Sequence, residues 1–81
     1  MPQTLQLPQL HIEQLPRDEA EAALLAQLFT LVDQTEPLPD LRNLAPVVRR
    51  LFPAPAYQVG CGGAHIWLHR QDDPQRLACI R

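Results

Sequence analysis

The sequence predicts an α+β domain in which two helices pack on one face of a three-stranded antiparallel meander. Three observations carry this expectation. Residues 17–36 hold no proline and repeat leucine and valine at helical spacing. Leu41, Leu44, Val48 and Leu51 repeat at intervals of three and four. From Tyr57 onward, apolar and polar residues alternate around a Gly62-Gly63 pair. Residues 1–15 are read as a fourth strand at the sheet edge or as an arm, so the element order is β-α-α-β-β-β.

Leu5 and Leu7, then Leu10 and Ile12, alternate with polar neighbours, as in half-buried strands. Pro8 lies between the pairs and lacks a backbone donor, which confines a strand here to an edge. The first helix is expected from about Asp18 to Asp33. Asp18 followed by Glu21 fits a cap in which a side-chain oxygen accepts from an amide three residues on. Leu24, Leu25, Leu28, Leu31 and Val32 then form one apolar stripe. Pro37 and Pro39 hold the next segment as a loop. The second helix is expected to start from an Asn43 cap, with Pro46 in its first turn, and to end near Phe52 before Pro53.

Glycine accepts positive φ, so Gly62-Gly63 reads as a two-residue hairpin turn. Pairing Cys61 with Ala64 then sets Val59 against Ile66 and Tyr57 against Leu68, all on one face. Gln58, Gly60, His65 and Trp67 take the other face. Asp72-Asp73-Pro74 marks a second turn. A five-residue loop puts Ala78 and Ile80 on the core face, with Ile80 opposite Ile66. A four-residue loop would put Leu77 and Cys79 there, and the five-residue loop is preferred.

At 81 residues and 46% hydrophobic, the chain is read as one domain, residues 1–81, with enough apolar surface for a core and little room for a deep cavity. No apolar run nears the ~20 residues needed to span a bilayer. The start, Met1 to Ile12, lacks the basic beginning and apolar core of a signal peptide. A cytoplasmic location without membrane contact is expected, with Cys61 and Cys79 as reduced thiols. The chain has no serine and no lysine, which excludes serine-nucleophile and Schiff-base chemistry. Lysine-free, Pro- and Leu-rich composition is common in GC-rich bacterial genomes. Residues 1–40 set seven acids against Arg17 alone, a balance of −6. Residues 41–81 set six arginines against Asp72 and Asp73, a balance of +4. A net charge of −2 fits halves that neutralise each other better than a committed nucleic-acid binder.

Cys61, His65, His69 and Cys79 are the residue types of a zinc site, but their spacing argues against one. On a strand, His65 and His69 would lie roughly 13 Å apart, beyond the reach of one metal. No metal or cofactor is expected. Cys61 and His65 fall on opposite faces, so no thiol–imidazole pair is expected, and the Gly60, Gly62, Gly63 cluster leads into strand rather than a phosphate-binding helix start. What remains is a stripe of His65, Trp67 and His69 on the face away from the helices, with Arg70 and Arg76 near the second turn. An outward tryptophan suits a contact surface. An N-terminal segment folded over the stripe would instead bury it.

Gly63-Ala64-His65, followed by His69, Asp73 and Arg76, resembles the Gly-Ser-His strand and the His-Pro-Asp-Gly-Arg turn of HicA-type toxin ribonucleases. The likeness covers about the last 30 residues, with alanine in place of serine and no turn glycine. It implies a helix–three-strand–helix fold, RNA as substrate and His65 as the catalytic residue. Two functional expectations follow. The leading one is a non-enzymatic module that contacts a protein partner, or its own copy, through His65, Trp67, His69, Arg70 and Arg76. The alternative is an RNA-binding protein or ribonuclease using His65, with the two arginines on phosphates.

Overall fold

Asp18 starts the longest element. In the computed structural model of the protein, which describes Leu5, residues 7–62 and residues 64–81, its carboxylate accepts a hydrogen bond from the Glu21 amide at 2.8 Å. Helix α1 then runs over Glu19–Gln34. Its buried residues are Glu21, Leu25, Leu28 and Val32, at the spacing of one helix face. Asp18→Ala should lower stability by about 1 kcal/mol, seen as a lower urea midpoint. An unchanged midpoint would show that the cap contributes nothing.

The second helix begins differently from the expectation of an Asn43 cap. The Asp40 carboxylate accepts from the Arg42 amide at 2.9 Å and also holds the Arg42 guanidinium. A charged acceptor is stronger than an amide oxygen, so the chain turns three residues earlier. It forms a 3-10 turn over Leu41–Leu44 and passes directly into helix α2, Ala45–Leu51. The early turn buries Leu41 completely, and Pro46 still falls in the first turn of α2.

Among the described residues, four antiparallel strands form one sheet: β1 (Leu10–Ile12), β2 (Tyr57–Cys61), β3 (Ile66–Arg70) and β4 (Arg76–Ile80), in the order β1-β4-β3-β2. Residues 10–12 of the N-terminal segment are therefore an edge strand beside β4 rather than a cover over the Trp67 face. The β2–β3 register differs by two residues from that expected: Cys61 pairs with Ile66, Val59 with Leu68 and Tyr57 with Arg70. A slip of two preserves the faces. The loop is longer, closed by the Gly62 amide on the His65 carbonyl at 2.8 Å, and Gly63 of the expected turn lies outside the described residues. The shift sets Gly60 opposite Trp67, where the missing side chain leaves room for the indole.

The last strand follows the five-residue loop. Ile80 pairs with Ile66 and Ala78 with Leu68. His69 then pairs with Arg76, which leaves Leu77 as an extra residue in a bulge. Leu77 is fully buried and joins the core beside Ala78, so the bulge delivers both adjacent residues inward. Leu25, Leu28, Val32, Val48 and Phe52 cover this side of the sheet, against Ile66, Leu68, Ala78 and Ile80. Among the described residues, no helix is long and apolar enough to cross a membrane.

Candidate contact surface around Trp67

The sheet face turned away from the helices is built by strand alternation. His11, Cys79, Trp67 and Gly60 pair in sequence across all four strands and form one row on that face. The Trp67 indole lies over Gly60, and the His65 ring leans against it with centroids 4.8 Å apart and planes tilted by 44°. Trp67, His65 and His69 are all half-buried. His69 stands between Gln58 on β2 and Arg76 on β4. An open hollow of about 550 Å³ lies beside Trp67, bounded by Gln58, Gly60, His69, Asp72 and Pro74.

The five residues singled out in the sequence do not all share this face. His65, Trp67 and His69 do, although His65 sits in the loop before β3 rather than on the strand. Arg70 does not. By alternation with Ile66 and Leu68 it points among the helices, where it is 8% exposed. Its Nε donates to both Glu21 carboxylate oxygens at 3.0 Å, Nη1 donates to Gln14 Oε1 at 3.0 Å, and Nη2 donates to the Leu15 carbonyl at 2.9 Å and to Glu21 Oε1. Arg76 is exposed, but Glu13 holds it, with Nη2 to Oε1 and Nε to Oε2 both at 3.1 Å. At the end of the hollow, Arg17 grips Asp72 at 2.9 Å and keeps that carboxyl below its usual range. The Gln75 amide does the same for Asp73.

The charge asymmetry of the sequence is thus resolved partly inside the molecule. Glu21 with Arg70, and Glu13 with Arg76, join the acidic and basic halves. Glu21 also accepts from the Arg17 amide at 2.9 Å and the Tyr57 hydroxyl at 2.9 Å. With Arg70 beside it, the Glu21 carboxyl is held at about 2, far below the ordinary 4.5, although burial acts the other way. Sequence reading assigned Glu21 only to the helix cap. The missed signal was phase: Glu21 stands four residues before Leu25 on the buried stripe, and Arg70 two residues after Leu68 on the buried strand face.

The cysteines stand on opposite faces. Burial pushes the Cys79 thiol up, and Glu13 beside it adds to the shift, which makes it a poor nucleophile. Cys61 is half-buried and lies 3.8 Å from Arg49 Nη2. Among the described residues, no three His, Cys, Asp or Glu side chains gather as a metal site would require.

The element order also departs from the one implied by the local ribonuclease likeness. Two helical segments precede the meander, and β1 flanks it beyond β4. Comparison with protein-family models, with curated proteins and with solved structures finds no match to this chain.

Proposed function

We propose that the protein is a small binding module that docks a protein partner on the sheet face around Trp67. The observation that supports this reading is a half-buried tryptophan beside an open hollow, on the one sheet face that the helices leave uncovered. A tryptophan packed on Gly60 offers a rigid apolar surface at low entropic cost, and flanking polar side chains can form the rim of an interface. The RNA alternative needs free cations for phosphate. Arg70 is committed to Glu21, Arg76 to Glu13, and Asp72 and Asp73 stand at the end of the hollow. These placements favour a protein partner over a phosphate backbone.

Trp67→Ala tests the reading. In cross-linking followed by affinity capture, the variant should lose partners that the intact chain retains, while keeping its fold and helix signal. Val47→Ala, on the exposed side of α2, should retain them. Identical partners for Trp67→Ala and the intact chain would remove this face from the interaction. Salt-sensitive RNA binding abolished by His65→Ala would favour the alternative.

A further inference from the structure

We propose that the outer edge of β1 pairs antiparallel with β1 of a second copy, joining two sheets into one of eight strands. The β1–β4 ladder determines which backbone groups are free. The Gln9 amide bonds the Arg81 carbonyl at 3.2 Å and the Arg81 amide bonds the Gln9 carbonyl at 3.1 Å; the Glu13 amide bonds the Leu77 carbonyl at 2.9 Å. In an antiparallel ladder the bonded residues alternate, so Gln9, His11 and Glu13 face β4, and Leu10 and Ile12 turn their N–H and C=O groups outward. Among the described residues, no partner meets those groups.

The pattern is self-complementary in one register. A two-fold axis through His11 sets Leu10 against Ile12 of the second copy, so each strand gives two amides and two carbonyls to the other. On the helix side, apolar residues then face apolar residues. On the other side, the Gln9 side-chain amide faces the Glu13 carboxylate of the second copy, and the two His11 residues meet at the axis. An axis through Leu10 would bring Ile12 against Pro8, which has no amide to give. An axis through Ile12 would need Gln14, whose amide is already bonded to the Leu77 carbonyl at 3.3 Å.

The surroundings match this occupant. Leu7, Ile12 and Phe29 are 61%, 49% and 57% exposed, and Pro8, Leu10, Phe29 and Val32 line a hollow of about 240 Å³ between β1 and α1. The other edge of the sheet is guarded. Arg49 reaches the Val59 carbonyl at 3.4 Å and sets a charge on β2. Edge strands avoid pairing through charges, prolines or covers of this kind, and among the described residues the Leu10-His11-Ile12 run has none.

The test is the mass of the intact chain by light scattering across a dilution series, beside Ile12→Pro, Ile12→Lys and Trp67→Ala. The intact chain should be a dimer at the higher concentrations. Ile12→Pro removes an outward amide and the isoleucine side chain while leaving the bonds to β4, and should shift the species to the single-chain mass of 9.2 kDa with its circular dichroism unchanged. Ile12→Lys should do the same and decides the matter if the proline variant unfolds. Trp67→Ala should remain dimeric, which separates this edge from the Trp67 face. A chain that stays monomeric at every concentration overturns the proposal. So does a dimer that survives Ile12→Lys, or one that Trp67→Ala dissolves and Ile12→Lys does not. His11→Cys reads the register, in a Cys61→Ala, Cys79→Ala background because Cys79 faces position 11 in the same chain. Non-bonded antiparallel pairs bring Cα atoms to roughly 4.5 Å, within disulfide range, so this variant should form a covalent dimer on oxidation. A dimer that fails to cross-link would overturn the His11-centred register.

Discussion

Arg70→Met should destabilise the protein by about 3–5 kcal/mol, the largest loss expected from any single change outside the hydrophobic core. The substitution leaves the Glu21 carboxylate 3% exposed and without its main partner. It also removes the donor to Gln14 Oε1 and to the Leu15 carbonyl, so the segment before α1 loses its attachment to β3. An 81-residue domain has roughly 4–12 kcal/mol in total, so the variant should be partly unfolded at moderate temperature. The double variant Glu21→Gln, Arg70→Met should recover part of the loss, because the buried charge is gone. Equal urea midpoints for Arg70→Met and the intact chain would show that water replaces the guanidinium at no cost.

The same pair sets an acid limit. The Glu21 carboxyl titrates at about 2 when folded and at an ordinary 4.5 when unfolded, so its contribution is fully present above 4.5. It is lost as pH falls from there towards 2, because the unfolded chain takes up the proton first. The shift corresponds to about 3 kcal/mol. The intact chain should therefore lose stability steeply between about pH 5 and pH 2, and Arg70→Met should show a shallower slope.

Much of the fold was legible because local signals agreed. The Asp18 cap follows from a carboxylate set three residues before a helix amide, and the α1 stripe and the strand faces follow from side-chain periodicity, which is a property of the backbone. The β2–β3 register was not, because alternation fixes parity and is blind to a slip of two. The observed pairing sets Trp67 against Gly60, where the missing side chain makes room for the indole, and that is a tertiary fact. The bulge at Leu77 was hidden for a related reason, since a strand rule that assigns faces by turns cannot bury two neighbours. On the Trp67 face, alternation places Trp67 and the two histidines together, but Arg70 was grouped with them by nearness in sequence. Applying the same parity rule to Arg70 places it inside, and applying the helix stripe to Glu21 brings its partner to it.

Gly60→Ala should remove Trp67 from its present seat and, with it, the proposed contact surface. A Cβ built on Gly60 would stand 2.1 Å from the indole Nε1, 2.4 Å from Cε2 and 2.7 Å from Cζ2. No rotation of a single bond at the rim relieves three such contacts, because the indole is one rigid plate and must swing away whole. The expected stability loss is modest. Overpacking costs about 1–3 kcal/mol, and replacing glycine in a strand returns roughly 0.5–1 kcal/mol of it. The surface should respond far more. The Trp67 emission should shift to the red as the ring enters water, His65 should lose its neighbour, and partner capture should fall as far as in Trp67→Ala. Gly62→Ala is the matched control, since its Cβ would meet nothing nearer than 4.0 Å. If Gly60→Ala keeps both the emission and the partners, Trp67 finds an equivalent seat elsewhere, and the close approach to Gly60 serves packing rather than contact. If it loses both while Gly62→Ala loses neither, one missing methyl group holds the tryptophan in the orientation that the proposed docking requires.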